Sequence, residues 1–335
     1  MPTPTPDSFR AAGDHSRPVI NLSVALGEEP GRAYFGCSDF KVYEADLAAA
    51  KVEFKELHAA HQSYVTGVAV AGDAVVSGGY DGKLVWWNTE DGRVVRTVDA
   101  HAKWVRKVIA SPDGTLIASV ADDMVCKLWN AETGALVKEL RGHAAQTPTH
   151  FPSMLFGVSF SHDGRKLATC DKVGKVILWD TARGTQVGSV ESPGMYTWDA
   201  VQRLHSIGGA RSVAFSPDGR YLAVGGIGKI GNIDHLEGKA RVEVFTVADG
   251  KSHWVWESDK YKGLMNRLAF APDGSWLLAA GGAAEGHFEF LDVAAKRVKR
   301  QDKLAMHTHD FAHTPDFGTV VYAGHNRVVV HKTGS

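Results

Sequence analysis

Apolar and polar positions alternate along most of this chain in short runs, and the stretch from His101 to Asn130 displays the repeating unit. Val105 to Ala110 alternates, a Ser-Pro-Asp-Gly turn follows, and Thr115 to Val120 forms a second run. An acidic turn at Asp122-Asp123 then leads into a third run ending on Leu128-Trp129-Asn130. Side chains of a strand point to opposite faces in turn, so three such runs joined by tight turns predict an antiparallel meander. A patch of that size cannot cover both of its own faces. The same parts recur in the same order from His61 to Asn88, and again around Ser-His-Asp-Gly at 161–164, ahead of LATCDKVGKVILWD. Ser-Pro-Asp-Gly at 216–219, Ala-Pro-Asp-Gly at 271–274 and Thr-Pro-Asp at 314–316 open further runs, while His15, His61, His101 and His143 mark early unit boundaries. A four-stranded unit recurring roughly every 40 residues predicts radially stacked sheets, each covering the face its neighbour leaves open.

The residues that recur resemble those of the WD-repeat β-propeller family. His, Ser or Thr, Asp and Trp stand at matching positions in the units covering 61–180, and the outline of the repeat covers nearly the whole chain. The resemblance implies a buried hydrogen-bond network in each blade: His61, Ser77, Asp81 and Trp87 in one, His101, Ser119, Asp123 and Trp129 in the next. The third unit keeps Thr169 and Trp179 but has Val173 where the Asp should stand, so its network is expected to be broken. The resemblance also implies a non-catalytic role as a rigid platform for protein interaction.

Counting units gives seven, and the expected fold is all-β: a seven-bladed β-propeller of four-stranded antiparallel blades. The last unit supplies DFAHT, TVVYAG and RVVVHK and then lacks a strand, whereas Phe9–Ala12 is a strand to spare. The N-terminal strand is therefore expected to complete the last blade, which removes an exposed sheet edge. Residues 1–7 are expected to be a disordered tail, and 8–335 a single propeller domain.

Composition narrows the function. The 37 basic and 38 acidic side chains balance, which argues against a general nucleic-acid or membrane-surface binder. Cys37, Cys126 and Cys170 fall in separate apolar runs and read as small core residues in a reducing compartment. MPTPTPDSFR has no apolar core of a signal peptide, so a cytoplasmic location is expected. The partner is expected to be a protein or peptide, with no cofactor, and the chain a monomer outside a complex.

Turns on one face of the ring are short, whereas 143–155, 190–210, 226–240 and 282–287 are long connections on the other. Long ordered loops on a compact scaffold carry function more often than ornament. The 190–210 loop holds Met195, Tyr196, Trp198, Arg203 and His205, residue types that anchor interfaces. With Phe151, Lys229, Ile230 and Trp104 they form the expected partner site, on the long-loop face of blades 4 to 6. The bland alternative is that Tyr196 and Trp198 fold back and seal a gap between blades.

Other motifs point elsewhere or nowhere. Gly226 to Gly231 matches Gly-x-Gly-x-x-Gly, but no helix follows to receive a pyrophosphate, so a surface loop is expected. His307, His309 and His313 share strand parity and are the candidate ligands of a competing reading, a metal-dependent hydrolase or lyase working in the channel. The basic run from Lys296 to Arg300 on an outer strand reads as protection against edge pairing. There is no Gly-x-Ser-x-Gly elbow and no His-Glu-x-x-His run.

Overall fold

A computed structural model describes residues 3–201, 205–231 and 236–334. Apart from single 3-10 turns at Pro6–Ser8 and Pro193–Met195, its regular structure is all strand. No helix among the described residues is long and apolar enough to cross a membrane. The architecture is that of a β-propeller with four-stranded antiparallel blades. Contacts within the chain gather into two units, 1–139 with 309–335, and 140–308.

In the first unit, Val65–Ala71, Ala74–Gly79, Lys83–Asn88 and Val94–Asp99 form one sheet, and Val105–Ala110, Leu116–Ala121, Val125–Asn130 and Leu136–Arg141 the next. Their inner strands are buried and their outermost strands are the most exposed. Val76, Leu84 and Trp86 of the first meet Val105, Val108, Ile117 and Trp129 of the second. This is the packing the repeat demands, since each sheet's apolar face finds its cover on the neighbouring copy.

The remaining strands of that unit do not separate into blades by their pairing. Thr308–His313, Thr319–Thr333, Phe9–Leu26, Arg32–Cys37, Val42–Asp46 and Phe54–Glu56 make a single six-stranded sheet, so the described residues hold six sheets rather than seven, plus a two-stranded ribbon. The cause lies in two long strands. Phe9–Leu26 runs without a break from one set of partners to another: Phe9 to Ser16 pair with Thr333 to Arg327, and Asn21 to Leu26 with Cys37 to Ala33. Thr319–Thr333 doubles back on itself. A straight strand of 15 residues would hold its ends about 50 Å apart, yet the Thr333 N–H donates to the Gly318 carbonyl at 3.0 Å. The reversal falls at Asn326, whose φ of 55° is in the left-handed region that Asn tolerates.

The second unit holds three four-stranded sheets. They begin at Leu155–Phe160, Ala210–Phe215 and Leu264–Phe270 and end at Thr185–Glu191, Ser252–Lys262 and Arg297–Leu304. Arg297–Leu304 is an outermost strand, and its cations are paired: Arg297 and Lys299 with Asp292, Arg300 with Asp302. Among the described residues the glycine motif at 226–231 opens no helix; 232–235 lie outside them. The expected long connection at 282–287 is a tight turn, because the flanking strands already reach Gly282 and Gly286.

The turns before second strands are one design repeated. In Ser-Pro-Asp-Gly at 111–114 the Ser111 hydroxyl donates to Asp113 at 2.6 Å and accepts from the Leu116 N–H at 2.9 Å. Ser161 and Ser216 repeat both bonds. Gly114, Gly164 and Gly219 sit at φ between 68° and 70°, where a side chain is disfavoured.

Candidate functional site

The histidine networks assemble residue by residue. His61 Nδ1 lies 3.0 Å from Asp81, and its Nε2 lies 2.8 Å from the Ser77 hydroxyl, which accepts the Trp87 indole N–H at 2.7 Å. A carboxylate only accepts, so Nδ1 carries the proton and Nε2 accepts from Ser77. Every donor in the line is thereby used. His101, Asp123, Ser119 and Trp129 repeat the arrangement at 3.0, 2.8 and 2.9 Å. Burial favours protonated Asp81 and Asp123, but bonds from the imidazole and from backbone N–H groups outweigh it and hold both carboxyls below the usual range. Ser77 and Ser119 are wholly buried. A substrate has no route to them, so the resemblance to a catalytic triad is superficial.

The third network is intact, contrary to the expectation drawn from Val173. His143 Nδ1 lies 2.9 Å from Asp171 and its Nε2 2.8 Å from Thr169, which accepts the Trp179 N–H at 2.9 Å. Asp171 closes the strand instead of sitting in the turn. It reaches the imidazole from two residues after Thr169, while its other oxygen accepts from the Val173 and Lys175 N–H groups.

The 190–210 connection is largely a structure of its own. Tyr196–Asp199 pairs with His205–Gly208 in a ribbon that joins no four-stranded sheet. Gly209 (φ 102°) permits the return to the next sheet, since a Cβ there would meet the Lys172 carbonyl oxygen at 2.2 Å. Trp198 is half-buried and packs on Phe151 at 5.0 Å, and the Tyr196 hydroxyl lies 2.7 Å from that of Thr149. Thr197 faces the other way and accepts the Ile230 N–H at 3.0 Å.

Two expected contact residues lie in the core instead. Met195 is 0% exposed among Val176, Val190 and Val224, and Ile230 is 2% exposed beside Ile227 and Leu264. Apolar burial draws both inward, where they support the ribbon from beneath. Lys229 is exposed. His205 contributes its backbone, paired with Asp199, and Arg203 lies outside the described residues.

Of the expected histidine set, His313 stands apart. His313 stacks on Phe317 at 3.6 Å, with its Nδ1 2.9 Å from the Thr314 carbonyl. The His309 ring instead lies 4.8 Å from that of His325, a pair that metal chemistry would find more convenient.

One cluster escaped the sequence, except for Trp104. Phe40, Tyr64, Tyr80 and Trp104 form a continuous row, with ring centroids 5.7, 5.7 and 4.4 Å apart and the last pair parallel within 5°. The Arg106 guanidinium lies over Tyr80 and Trp104, donates to the Tyr80 hydroxyl at 2.6 Å, and is held by both oxygens of Asp122 at 2.7 and 2.6 Å. The signal that would have found the row is positional. Tyr64 and Trp104 each stand three residues after a network histidine, in successive copies.

Comparison with known proteins agrees with the architecture. The family model for the WD domain, G-beta repeat, matches residues 54–88, 92–130 and 201–229. A component of chromatin assembly factor 1 from Gallus gallus is 25% identical over 247 residues, 63% of this chain and 40% of that protein. Nuclear distribution protein PAC1 of Arthroderma benhamiae is 30% identical over 47% of this chain and 34% of its own length. Protein transport protein SEC13-1 of Candida glabrata is 37% identical over 31% of this chain and 36% of its own. The matched region is thus 40% or less of each of these relatives.

Proposed function

Because this chain belongs to the WD-repeat family, we propose that it is a non-catalytic scaffold whose partner, a protein or peptide, docks on the long-loop face of blades 4 to 6. The observation that carries this reading is the ribbon Tyr196–Asp199 with His205–Gly208. It stands outside every blade, rests on the buried Met195 and Ile230, and holds Trp198 and Tyr196 half-exposed beside Phe151. An aromatic that is already held in place loses little freedom on binding, which is what an interface anchor requires. Lys229, next to Ile230 whose N–H bonds Thr197, would border the same patch. The names of the relatives, concerned with chromatin assembly, nuclear distribution and protein transport, share no reaction, and this favours assembly over catalysis.

The scaffold reading includes three finer points. The six-stranded sheet divides into two blades at the middle of Phe9–Leu26, which brings the count to seven and makes the N-terminal strand the closing one; its register against Arg327 to Thr333 supports this. The compartment is reducing and cytoplasmic, supported by three free cysteines, all buried. The near-neutral charge balance supports a protein partner over nucleic acid. The test is a pull-down comparing the native chain with a Tyr196→Ala/Trp198→Ala variant. Loss of specific partners from the variant, with its melting temperature retained, is the expected result. Recovery of the same proteins by both would place the site elsewhere.

A further inference from the structure

We propose that the aromatic row Phe40–Tyr64–Tyr80–Trp104 is a second docking surface, built for a proline-rich segment of a partner protein bound in the polyproline II conformation. It is independent of the surface at Trp198, and either could fail without the other.

The row is exposed and contiguous. Phe40, Tyr64 and Trp104 are 43%, 45% and 49% exposed, and each touches the next ring in line or the one beyond it through Tyr80. Single exposed apolar residues are ordinary, but a joined set marks a surface that meets something. The row is also rigid. The Tyr80 N–H donates to the Tyr64 carbonyl at 2.9 Å, the Asp122 N–H to the Trp104 carbonyl at 3.0 Å, and Arg106 clamps Asp122 and Tyr80 from beside the rings. Preorganised rings order little on binding.

Hydrogen-bond supply decides the occupant. The carboxylates beside the row and the Tyr64 and Trp104 carbonyls are held by the chain itself: the carbonyls as above, Asp81 by His61 and two backbone N–H groups, Asp123 by His101 and two more, Asp122 by Arg106, and Asp39 by the Tyr43 hydroxyl, its other oxygen buried. The Tyr64 hydroxyl and the Trp104 indole N–H make no hydrogen bond to the described chain. The surface therefore offers flat apolar faces and donors, and little acceptor capacity. A proline-rich segment is the complement, since proline has no N–H, its ring is flat and apolar, and a polyproline II helix leaves its backbone carbonyls unpaired. Such segments bind on rows of aromatic side chains. At a rise of about 3.1 Å per residue, roughly five residues would cover the row. Single-stranded nucleic acid also stacks on rings, but it needs cations for its phosphates. Here the guanidinium beside the rings is neutralised by Asp122 and Lys41 by Glu56, and of the remaining charges close by in sequence Lys103 stands against Asp39, Asp81 and Asp123.

The experiment is a fluorescence-anisotropy titration of the full chain into a labelled oligoproline of about ten residues, long enough for the row. A Gly-Ser peptide and an oligo-dT of similar length serve as the other probes. Saturable binding of the oligoproline alone is expected. Tyr64→Ala/Trp104→Ala should weaken it at least tenfold, Trp104→Phe, which keeps a ring and loses the donor, a few-fold, and Trp198→Ala not at all. Both positions are exposed, so unchanged melting temperatures are expected; should the double variant unfold, Trp104→Phe carries the test alone. No saturable oligoproline binding, equal binding by the Trp104 variants, loss with Trp198→Ala, or tighter binding of oligo-dT would each overturn the proposal.

Discussion

At the scale of single residues, the networks determine how the fold responds to mutation and pH. Asp123→Ala removes the acceptor of the buried His101 imidazole and of two backbone N–H groups, of which that of Ala102 is exposed. The expected loss is about 1.5–3 kcal/mol, read from urea unfolding. Because the Asp81 and Asp123 carboxyls are held below their unfolded values, their contribution is complete above about pH 4 and declines as the pH falls through the lower folded values. Thermal melts between about pH 5 and 2 should show this decline, shallower in Asp123→Asn. Glu289 has the opposite sign. Burial pushes its carboxyl up, against the opposing bond from His287 at 2.9 Å. The His287 Nε2 lies 3.2 Å from the Lys262 carbonyl and must donate, so the Nδ1–Glu289 contact needs one further proton. Its stabilising effect is therefore full below about pH 4.3 and is lost as the pH rises through the raised value. Glu289→Gln, which keeps the shape of the side chain and cannot ionise, should melt like the parent at pH 4 and above it at pH 8.

At the scale of elements, turns are more legible than loops. Ser-Pro-Asp-Gly is read directly from the sequence, because its hydroxyl, carboxylate and left-handed glycine act locally. The Asp171 network was not legible. Alignment by copy placed Val173 in the acidic position, while the chain met the same need from two residues earlier, a solution that depends on where the strand ends. The stretch that pairs as Tyr196–Asp199 with His205–Gly208 reads in the sequence as a loop with aromatics, since a strand pair outside the repeat carries no period. Burial of Met195 and Ile230 likewise depends on which side of that ribbon faces inward. Two glycines separate these cases experimentally. A Cβ at Gly219 meets nothing within 4 Å, so Gly219→Ala bears only the conformational cost of φ 68°, about 1 kcal/mol. Gly209→Ala collides with the Lys172 carbonyl at 2.2 Å and should cost clearly more in the same chemical denaturation assay.

At the scale of the whole molecule, the repeat was the most readable feature, because a unit that cannot cover its own apolar faces must be copied. The count was less so. Seven units in the sequence appear among the described residues as six sheets and a two-stranded ribbon, since one strand serves two sets of partners, a fact about hydrogen bonding that no periodicity records. Deleting residues 1–16 should uncover the edge of the strand ending at Thr333. The expected result is a lower melting temperature together with self-association on size-exclusion chromatography; a monomer as stable as the parent would mean that this pairing contributes little.

The register of Phe9 to Ser16 against Thr333 to Arg327 also bears on biosynthesis. The first of these segments leaves the ribosome while nearly everything between them is still untranslated. At about 5–20 residues per second, its mate follows only after roughly 15 to 65 seconds. Through that interval the early segment waits without a companion, so the nascent chain is a natural client for a holding chaperone until its last turn is made.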